Sequence, residues 1–508
     1  MNTASPAMPV RQGKNMQLIS VDVGTTHAKA VLYRHGRGIE FQQTAGYPTY
    51  YPRLGQVEQD PDEVLSAVEQ AIRVLVERAR VPSREVEALV FDGMWQSMLP
   101  VDRAGNPLAR ATIWADKRSI EENERLKERL DTEEVRRRTG CPLHPMYFLS
   151  RLAWLREHAP AVFGSADRFV SIKEYVVERL FGGRAVDRST ASGTGIWNMH
   201  TLDWDGELLS VVGLEPSRFS DCVEPTLVAP GLGAAAASRL GLREGTPCIL
   251  GASDGAAAHL GSVGLSDDRM SLTVGTGAAL RRRLSSPGIV PGTEAWCYYL
   301  AEGNWLLGGV LHDAGNALRW FADTLLPAGG GTEEVFGEMN RLCAEVPLGA
   351  EGLLFMPLFS GERCPHDRPT ARGAMYGLTL AHSRAHLVRA LMEGLAFNLY
   401  WVYRMLTGET GPDLVANGGI VKSPAWLQIV ADVFGRTLWL PQVPEAATFG
   451  GVLLGLRALG VLPSLAASTP LVDYAGKVEP DPARHAEYRK VFAAYEQLYL
   501  DLFGSGRR

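Results

Sequence analysis

Aspartates that end apolar strands beside glycine turns are the residues of this sequence best suited to chemistry. In "LISVDVGTTHAKAVLY", Asp22 ends a strand-like run, and Gly24, Thr25 and Thr26 form the turn that follows. Such a turn exposes backbone N–H groups and hydroxyls, which are donors for a polyphosphate. Asp22 could hold Mg²⁺, which prefers oxygen ligands, and Lys29 could offset phosphate charge. The alternative is an ordinary structural β-turn capped by Asp22.

A second glycine turn occurs about halfway along the chain. The stretch "MSLTVGTGAAL" repeats the tripeptide of the first turn at Val274, Gly275 and Thr276, again between two strand-like segments. Two similar halves that face each other would bring both turns to one cleft. The sequence has no G-x-x-x-x-G-K-[ST] motif, so these turns are not P-loops.

Asp254 ends another apolar strand, in "TPCILGASDG", and is followed by the small residues "GAAAHLG". A carboxylate at a strand end can face a cleft, and small neighbours leave space for a ligand. We expect Asp254 to accept the proton of a substrate hydroxyl as that oxygen attacks phosphorus. The alternative is a helix N-cap for the segment that follows.

Three further groups of residues could line a ligand site. The glycines of "ANGGIVKSP" let a flat base or ribose approach the backbone closely, and "GGVLHDAGNALRW" is a similar helix entry. Trp95, Gln96 and Trp114 mix aromatic faces with hydrogen-bonding groups, which is typical of sugar sites. His144 in "CPLHPMY" is a weaker candidate. Each has a purely structural alternative, namely a tight turn, a core-edge tryptophan or a satisfied histidine.

The elements that position these residues alternate between short strands and helices, which predicts an α/β fold. Asp60 and Pro61 predict a helix start, and the segments from Ile120 to Arg138 and "PAWLQIVADVF" predict helices. We place a domain boundary near residue 250. The predicted units are a disordered tail over 1–16, an N-terminal domain over 17–250 and a C-terminal domain over 251–500.

Bulk composition excludes several classes of protein. The 508 residues are 46% hydrophobic and 21% charged, with a net charge of −6, so no nucleic-acid-binding face is predicted. The arginine runs 136–138 and 281–283 are interpreted as solvated. Six cysteines without metal spacing indicate a reducing compartment. No apolar run approaches the roughly 18 residues of a membrane span, and a cytoplasmic location is expected.

In order along the chain, these segments resemble the FGGY family of carbohydrate kinases. The resemblance covers about Leu18 to Gly460 and rests on "VDVGTTHAKAVL", "GQVEQDP", "WADKR", "VDRSTASGTGIWN", "GASDGAAAHLGS", "TVGTGA", "MPLFSGERCP", "EGLAFNL" and "NGGIVKSPAWLQIVADVFG". It implies two actin-like, ribonuclease-H-like α/β domains with ATP between them. It also implies Mg²⁺-dependent transfer of the γ-phosphoryl group to a sugar hydroxyl.

The resemblance also assigns roles to single residues. Asp254 matches the catalytic base, and Asp22 matches the metal-associated acid. The remaining matches divide between nucleotide and acceptor: Gly24, Thr25, Thr26, Lys29, Gly275, Thr276, Gly315, Arg319, Gly419 and Ser423 for ATP, and Trp95, Gln96, Met146 and nearby His144 for the sugar.

Within the family, "TGCPLHPMYFLSRLAWL" and "ATIWADKRS" look most like gluconate kinases, which implies gluconate to 6-phosphogluconate as the reaction. Those enzymes usually carry Met-His-Ser where this chain has Trp95-Gln96-Ser97. Xylulose, ribulose, erythritol or a similar polyol therefore stays open as the acceptor, as does a homodimer. His27 also departs from the small hydroxyl residue that is usual there.

Two other classes of protein are weighed against the kinase. A catalytically silent sugar sensor would have favoured loss of Asp254 or a glycine turn, and both are intact. An actin-like ATPase is disfavoured by the sugar-side segments "WADKR" and "CPLHPMY". A dehydrogenase fails because no G-x-G-x-x-G follows the first strand.

Overall fold

The computed structural model describes residues 16–325 and 332–504. The predicted tail lies outside these residues, apart from Met16, which is buried. Among the described residues, no helix is both long enough and apolar enough to cross a bilayer.

A six-stranded sheet forms the centre of the N-terminal half. Its central strand Gln17–Val23 runs antiparallel to His27–Arg34 on one side and parallel to Val86–Gly93 on the other. In spatial order the strands are Val228–Ala229, Cys248–Ile249, Val86–Gly93, Gln17–Val23, His27–Arg34 and Gly38–Gly46.

A seven-stranded sheet forms the centre of the C-terminal half. Its central strand Arg269–Val274 runs antiparallel to Ala278–Leu284 and parallel to Asp413–Gly418. In spatial order the strands are Trp296–Ala301, Asn304–Leu311, Ala278–Leu284, Arg269–Val274, Asp413–Gly418, Leu438–Pro441 and Tyr474–Val478.

The two sheets share one plan. In each, the first strand of the half forms a hairpin with the second and pairs in parallel with a strand from much later in that half. The repeated Val-Gly-Thr tripeptide lies at the turn of each hairpin, at the carboxyl end of the central strand. The structure therefore has the α/β fold with two similar halves that the sequence predicts.

Helices cover both sheets. In the N-terminal half they are Pro61–Ala79, Ile120–Arg129, Thr132–Thr139, Phe148–His158, Pro160–Ser165, Ile172–Phe181, Arg188–Ser192, Gly206–Val211 and Ala234–Leu240. In the C-terminal half they are Asp254–Val263, Gly315–Leu325, Thr332–Ala344, Arg384–Thr407, Pro424–Phe434, Ala446–Ala458 and Pro482–Phe503. Short peripheral strands are Glu58–Gln59, Leu99–Val101, Ala111–Thr112, Arg168–Val170, Ala185–Asp187, Trp197–Asn198, Asp203–Trp204, Asp221–Val223, Leu354–Met356 and Ala374–Tyr376.

Local capping explains where several helices begin. The side chain of Asp60 accepts hydrogen bonds from the N–H groups of Asp62 and Glu63, as the sequence predicts. The single helix predicted from Ile120 to Arg138 is wrong. Leu130 is extended, and the Asp131 side chain caps a new helix that begins at Thr132, so the charged segment divides into two helices.

Two crossing helices join the halves. Helix Ala446–Ala458 packs on strands of the first sheet, and helix Asp254–Val263 packs against it and reaches the second sheet. The backbones approach so closely that a Cβ on Gly450 would lie 1.9 Å from the carbonyl oxygen of Ala257, and one on Gly261 would lie 2.0 Å from that of Ala446. Only glycine fits at these crossings. Because the two helices pack this closely, the start of helix Asp254–Val263 lies between the two halves.

Candidate active site

The prediction that Asp254 ends a strand is wrong, because the strand Cys248–Ile249 stops earlier and Asp254 is the first residue of the helix that follows. Asp254 lies where the two halves meet. A bridge between Gly93 and Ser253 continues the first sheet up to this point. The side chain is partly exposed, and its Oδ1 accepts a hydrogen bond from the N–H of Gly255 at 2.6 Å. Burial raises the pKa of Asp254 to about 7, the charge of Asp22 adds to this, and Arg281 opposes it. A carboxylate with this pKa can take a proton near neutral pH.

Two more carboxyls lie next to each other on the first sheet. Asp22 and Asp92 are opposite each other on neighbouring parallel strands. Oδ1 of Asp22 and both oxygens of Asp92 are buried without a hydrogen-bond partner among the described residues. Burial, then the charge of Asp22, raises the pKa of Asp92 well above its usual value. Unpartnered carboxylate oxygens beside Asp254 fit the oxygen-ligand chemistry of a divalent cation.

The first hairpin presents a tight turn to the exterior. The N–H of Gly24 donates to the carbonyl of His27 at 3.2 Å, and Thr26 is exposed. The Oγ1 of Thr25 accepts from Nε1 of Trp114 at 3.2 Å, so this tryptophan contacts the turn rather than a core. Thr25 and Thr26 thus remain at the surface where a phosphate could reach them.

Lys29 does not carry a free charge in this structure. Its Nζ forms an ion pair with Glu445, at the start of the helix that joins the two halves. Lys29 can therefore offset phosphate charge, as predicted, only if its ion pair with Glu445 breaks when the phosphate binds.

The second hairpin collects the predicted nucleotide residues of the C-terminal half. Gly275 and Thr276 are exposed, and the carbonyls of these two residues accept from the N–H groups of Gly315 and Asn316, each at 3.0 Å. A Cβ on Gly315 would lie 2.3 Å from the Gly275 oxygen, so glycine is required there. Gly419 borders the same central strand, at the Val274 carbonyl. The structure brings four of the predicted residues together.

The other two predicted nucleotide residues behave differently. Arg319 is exposed and pairs with Asp323 one turn along its own helix, at 3.0 Å. Ser423 is fully buried. Its Oγ donates to Asn340 at 2.7 Å and accepts from the Trp426 N–H, so it caps the helix that follows. The Ser423 side chain is therefore already used by the fold.

The predicted acceptor residues form a buried wall next to Asp254. The Trp95 ring lies so close to Gly255 that a Cβ there would be 2.3 Å from it. Its Nε1 donates to the carbonyl of Ser189 at 3.0 Å, and its ring centroid is 4.7 Å from that of Tyr298. Gln96 has a φ of +57°, and its Nε2 donates to the Tyr298 hydroxyl at 3.3 Å.

The wall continues through two tyrosines to an arginine. The hydroxyls of Tyr298 and Tyr147 are 2.6 Å apart, and Arg363 donates to Tyr147 at 3.2 Å and to the sulfur of Met146 at 2.9 Å. His144 accepts from the Met146 N–H through Nδ1 at 3.2 Å. Predicted residues from two segments, Trp95 with Gln96 and His144 with Met146, thus meet in one network with residues that were not predicted.

Sequence reasoning missed several residues of this network. The prediction that the arginine run 281–283 is solvated is wrong for Arg281, which is partly buried and whose guanidinium reaches Gly255 beside Asp254. Arg136 in the other run is buried and pairs with Glu294 at 3.4 Å. Arg363 stands in the quoted segment "MPLFSGERCP", and Asp92 ends the apolar run "VEALVFD" as Asp22 ends its own run, so both had a sequence signal. Tyr298 had none.

Comparison with known proteins places this architecture in context. A model described as the FGGY family of carbohydrate kinases, N-terminal domain, matches residues 17–261, and the corresponding C-terminal domain matches residues 270–459. Gluconokinase of Bacillus subtilis is 32% identical over 489 residues, which are 95% of each chain.

Solved structures agree with this similarity. Gluconate kinase from Lactobacillus acidophilus superposes with a TM-score of 0.91 and 30% identity, covering 96% of this chain and 98% of that one. The ligand-bound xylulose kinase from the same organism also gives a TM-score of 0.91 and 30% identity, covering 96% of this chain and 99% of that one.

Proposed function

This chain belongs to the FGGY family of carbohydrate kinases, and on that premise we propose that it phosphorylates gluconate to 6-phosphogluconate with ATP. Members of the family use ATP as the donor, generally with a divalent metal, and transfer its phosphoryl group to a sugar hydroxyl. The choice of gluconate is supported by the similarity to the gluconokinase of Bacillus subtilis. A xylulose acceptor is the second candidate, because a xylulose kinase structure is equally similar.

The observation that carries the catalytic assignment is the setting of Asp254. One of its oxygens is held by the Gly255 N–H, and the side chain is partly exposed between the two halves. In the proposed step, Asp254 takes the proton of the acceptor hydroxyl, that oxygen forms a bond to the γ-phosphorus, and the bond to the bridging oxygen of ADP breaks. The pKa of about 7 lets Asp254 accept a proton and release it again near neutral pH.

The glycine turns supply the donor side. The N–H groups of Gly24 and Gly275 close the two turns by donating to the carbonyls of His27 and Gly277. The backbone N–H groups and hydroxyls of Thr25, Thr26 and Thr276 are then the groups that would hold the phosphates in line with the acceptor. Asp22, with Asp92 beside it, is the group that would hold Mg²⁺, which neutralises charge on the transferred phosphoryl group when it is bound. Gly315 packs directly against the second turn and holds it through its N–H bond to the Gly275 carbonyl, and Gly419 leaves room for the nucleoside.

A coupled ADP-release assay tests the proposal. Purified protein with ATP and Mg²⁺ is supplied in turn with gluconate, xylulose, ribulose, glycerol and erythritol, and the product is located by phosphorus NMR. We expect gluconate to give the highest kcat/KM and a phosphate on its terminal hydroxyl. ATP without any acceptor is the control, because rapid ADP release there would indicate an ATPase.

Two results would contradict the proposal. A clear preference for xylulose or another polyol would replace gluconate as the substrate. Silence with every acceptor, together with sugar-dependent thermal stabilisation, would support a sensor that binds sugar without turnover.

A further inference from the structure

Arg363 is a buried cation without an ordinary counter-ion. The residue is only 4% exposed, and its guanidinium donates to the Met146 sulfur and the Tyr147 hydroxyl, both uncharged. Its Nε is buried with no hydrogen-bond partner. Among the described residues, no carboxylate forms an ion pair with Arg363. Burying a guanidinium costs free energy unless a charged partner satisfies it.

The neighbouring acids do not fill this role. Glu294 is paired with Arg136 at 3.4 Å. Glu362, next along the chain, is bound to His366 at 2.6 Å and to the Tyr499 hydroxyl. Both carboxylates are therefore committed elsewhere.

The nearby histidines carry no negative charge, and each can donate a hydrogen bond to an anion. Burial, followed by the charge of Arg363, lowers the pKa of His144 well below its ordinary value and that of His312 to about 4. Both are thus neutral and can donate through a ring N–H. A small cavity lies against Arg363 and is also lined by His312, Asp313 and Glu362. Asp313 accepts from the Ser360 N–H at 2.7 Å, and Glu362 is bound to His366 and Tyr499, so both acids already have partners.

Arg363 lies at the far end of the acceptor wall from Asp254. Between them come Trp95, which contacts Gly255, then Tyr298 and Tyr147, whose hydroxyls are 2.6 Å apart. The other arginine of the wall, Arg281, is at the near end against Gly255. An extended sugar acid has its terminal hydroxyl and its carboxylate at opposite ends.

We propose that Arg363 binds the carboxylate of a sugar-acid acceptor whose opposite terminal hydroxyl faces Asp254. This inference rests on the proposed function and deepens it, because it identifies the group that distinguishes an aldonate from an uncharged polyol. A guanidinium can bind a carboxylate through two parallel hydrogen bonds, and such charge-assisted bonds are strong where water is excluded. The tyrosine hydroxyls and Gln96 would contact the hydroxyls between the two ends.

The test compares gluconate with glucitol, which has the same chain with an alcohol in place of the carboxylate. Wild type, Arg363→Met and Arg363→Lys are assayed for the KM of gluconate, the KM of ATP and the inhibition constant of glucitol. We expect Arg363→Met to raise the KM of gluconate at least ~30-fold, and the affinity for glucitol and ATP to stay the same. Arg363→Lys should recover part of the loss, since lysine keeps the positive charge but cannot make two parallel hydrogen bonds.

Arg281→Met is the comparison variant. It removes an arginine from the near end of the same wall, so it should not alter the preference for gluconate over glucitol. If Arg281→Met abolishes that preference and Arg363→Met does not, the carboxylate lies beside the base and the inference is wrong. An equal loss of gluconate and glucitol affinity in Arg363→Met would also overturn it, because that pattern reports a structural role.

Wild-type measurements keep the test valid if a variant fails to fold. Glucitol that binds wild type as tightly as gluconate does would overturn the carboxylate site without any variant. Failure of the proposed function is seen separately, as wild-type turnover of another acceptor with none of gluconate. Normal gluconate turnover with an unchanged KM in Arg363→Met would overturn this inference alone.

Discussion

The proposed donor and acceptor sides of the candidate site consist of different kinds of groups. On the proposed donor side, exposed turn residues such as Gly275 and Thr276 offer backbone groups. On the acceptor side, buried side chains such as Trp95, Tyr298 and Arg363 hold one another in a continuous network. Phosphates are common to every kinase of this kind, whereas the acceptor wall is where one substrate can be distinguished from another.

Removal of Asp254, the proposed base between the two sides, should have the largest effect. Asp254→Asn keeps the side-chain shape but cannot accept the hydroxyl proton, so kcat should fall at least ~10³-fold. Steady-state kinetics with gluconate measure the loss, and thermal unfolding with and without ATP confirms that the variant folds and binds nucleotide. Near-normal turnover would end the assignment of Asp254 as the base.

A change on the donor side should affect ATP alone. Thr276→Val removes the hydroxyl of the second turn and keeps its shape, so the KM of ATP should rise about tenfold through loss of one charge-assisted hydrogen bond. The KM of the acceptor should not change. The reverse pattern would place Thr276 outside the nucleotide site.

A change on the acceptor side should give the opposite result. Gln96→Asn is chosen because asparagine tolerates the φ of +57°, while its shorter amide cannot reach Tyr298 as Gln96 does. The KM of the acceptor should rise about fivefold, with the KM of ATP unchanged. Gln96→Asn and Thr276→Val together separate the effects on the acceptor KM from those on the ATP KM. Unaltered sugar kinetics in Gln96→Asn would remove Gln96 from the wall.

The smallest effect is expected on the pH profile. Since Asp254 must be unprotonated to act as a base, kcat/KM should fall as pH drops below its pKa of about 7. Arg281 holds that pKa down, so Arg281→Met should move the acid limb to higher pH, with little change on the alkaline plateau. A limb that stays in place, or moves to lower pH, would show that Arg281 does not act on Asp254.

Much of the donor side could be predicted from local sequence. A glycine turn after a strand needs only its own residues to form, and the same is true of the Asp60 cap and of the helix that begins at Pro424. The division of the charged segment at Leu130 was not predicted, because helix-favouring residues surround the break and only the Asp131 cap marks it.

The sequence by itself determined the α/β alternation and the two glycine turns, because these depend on neighbours along the chain. Only the tertiary structure decided that Arg281 turns toward Gly255 and that Arg363 meets Tyr147 and Met146, which lie over 200 positions away. Whether an arginine is solvated or buried depends on which distant segments pack over it, and hydrophobic patterning within one segment carries no information about that.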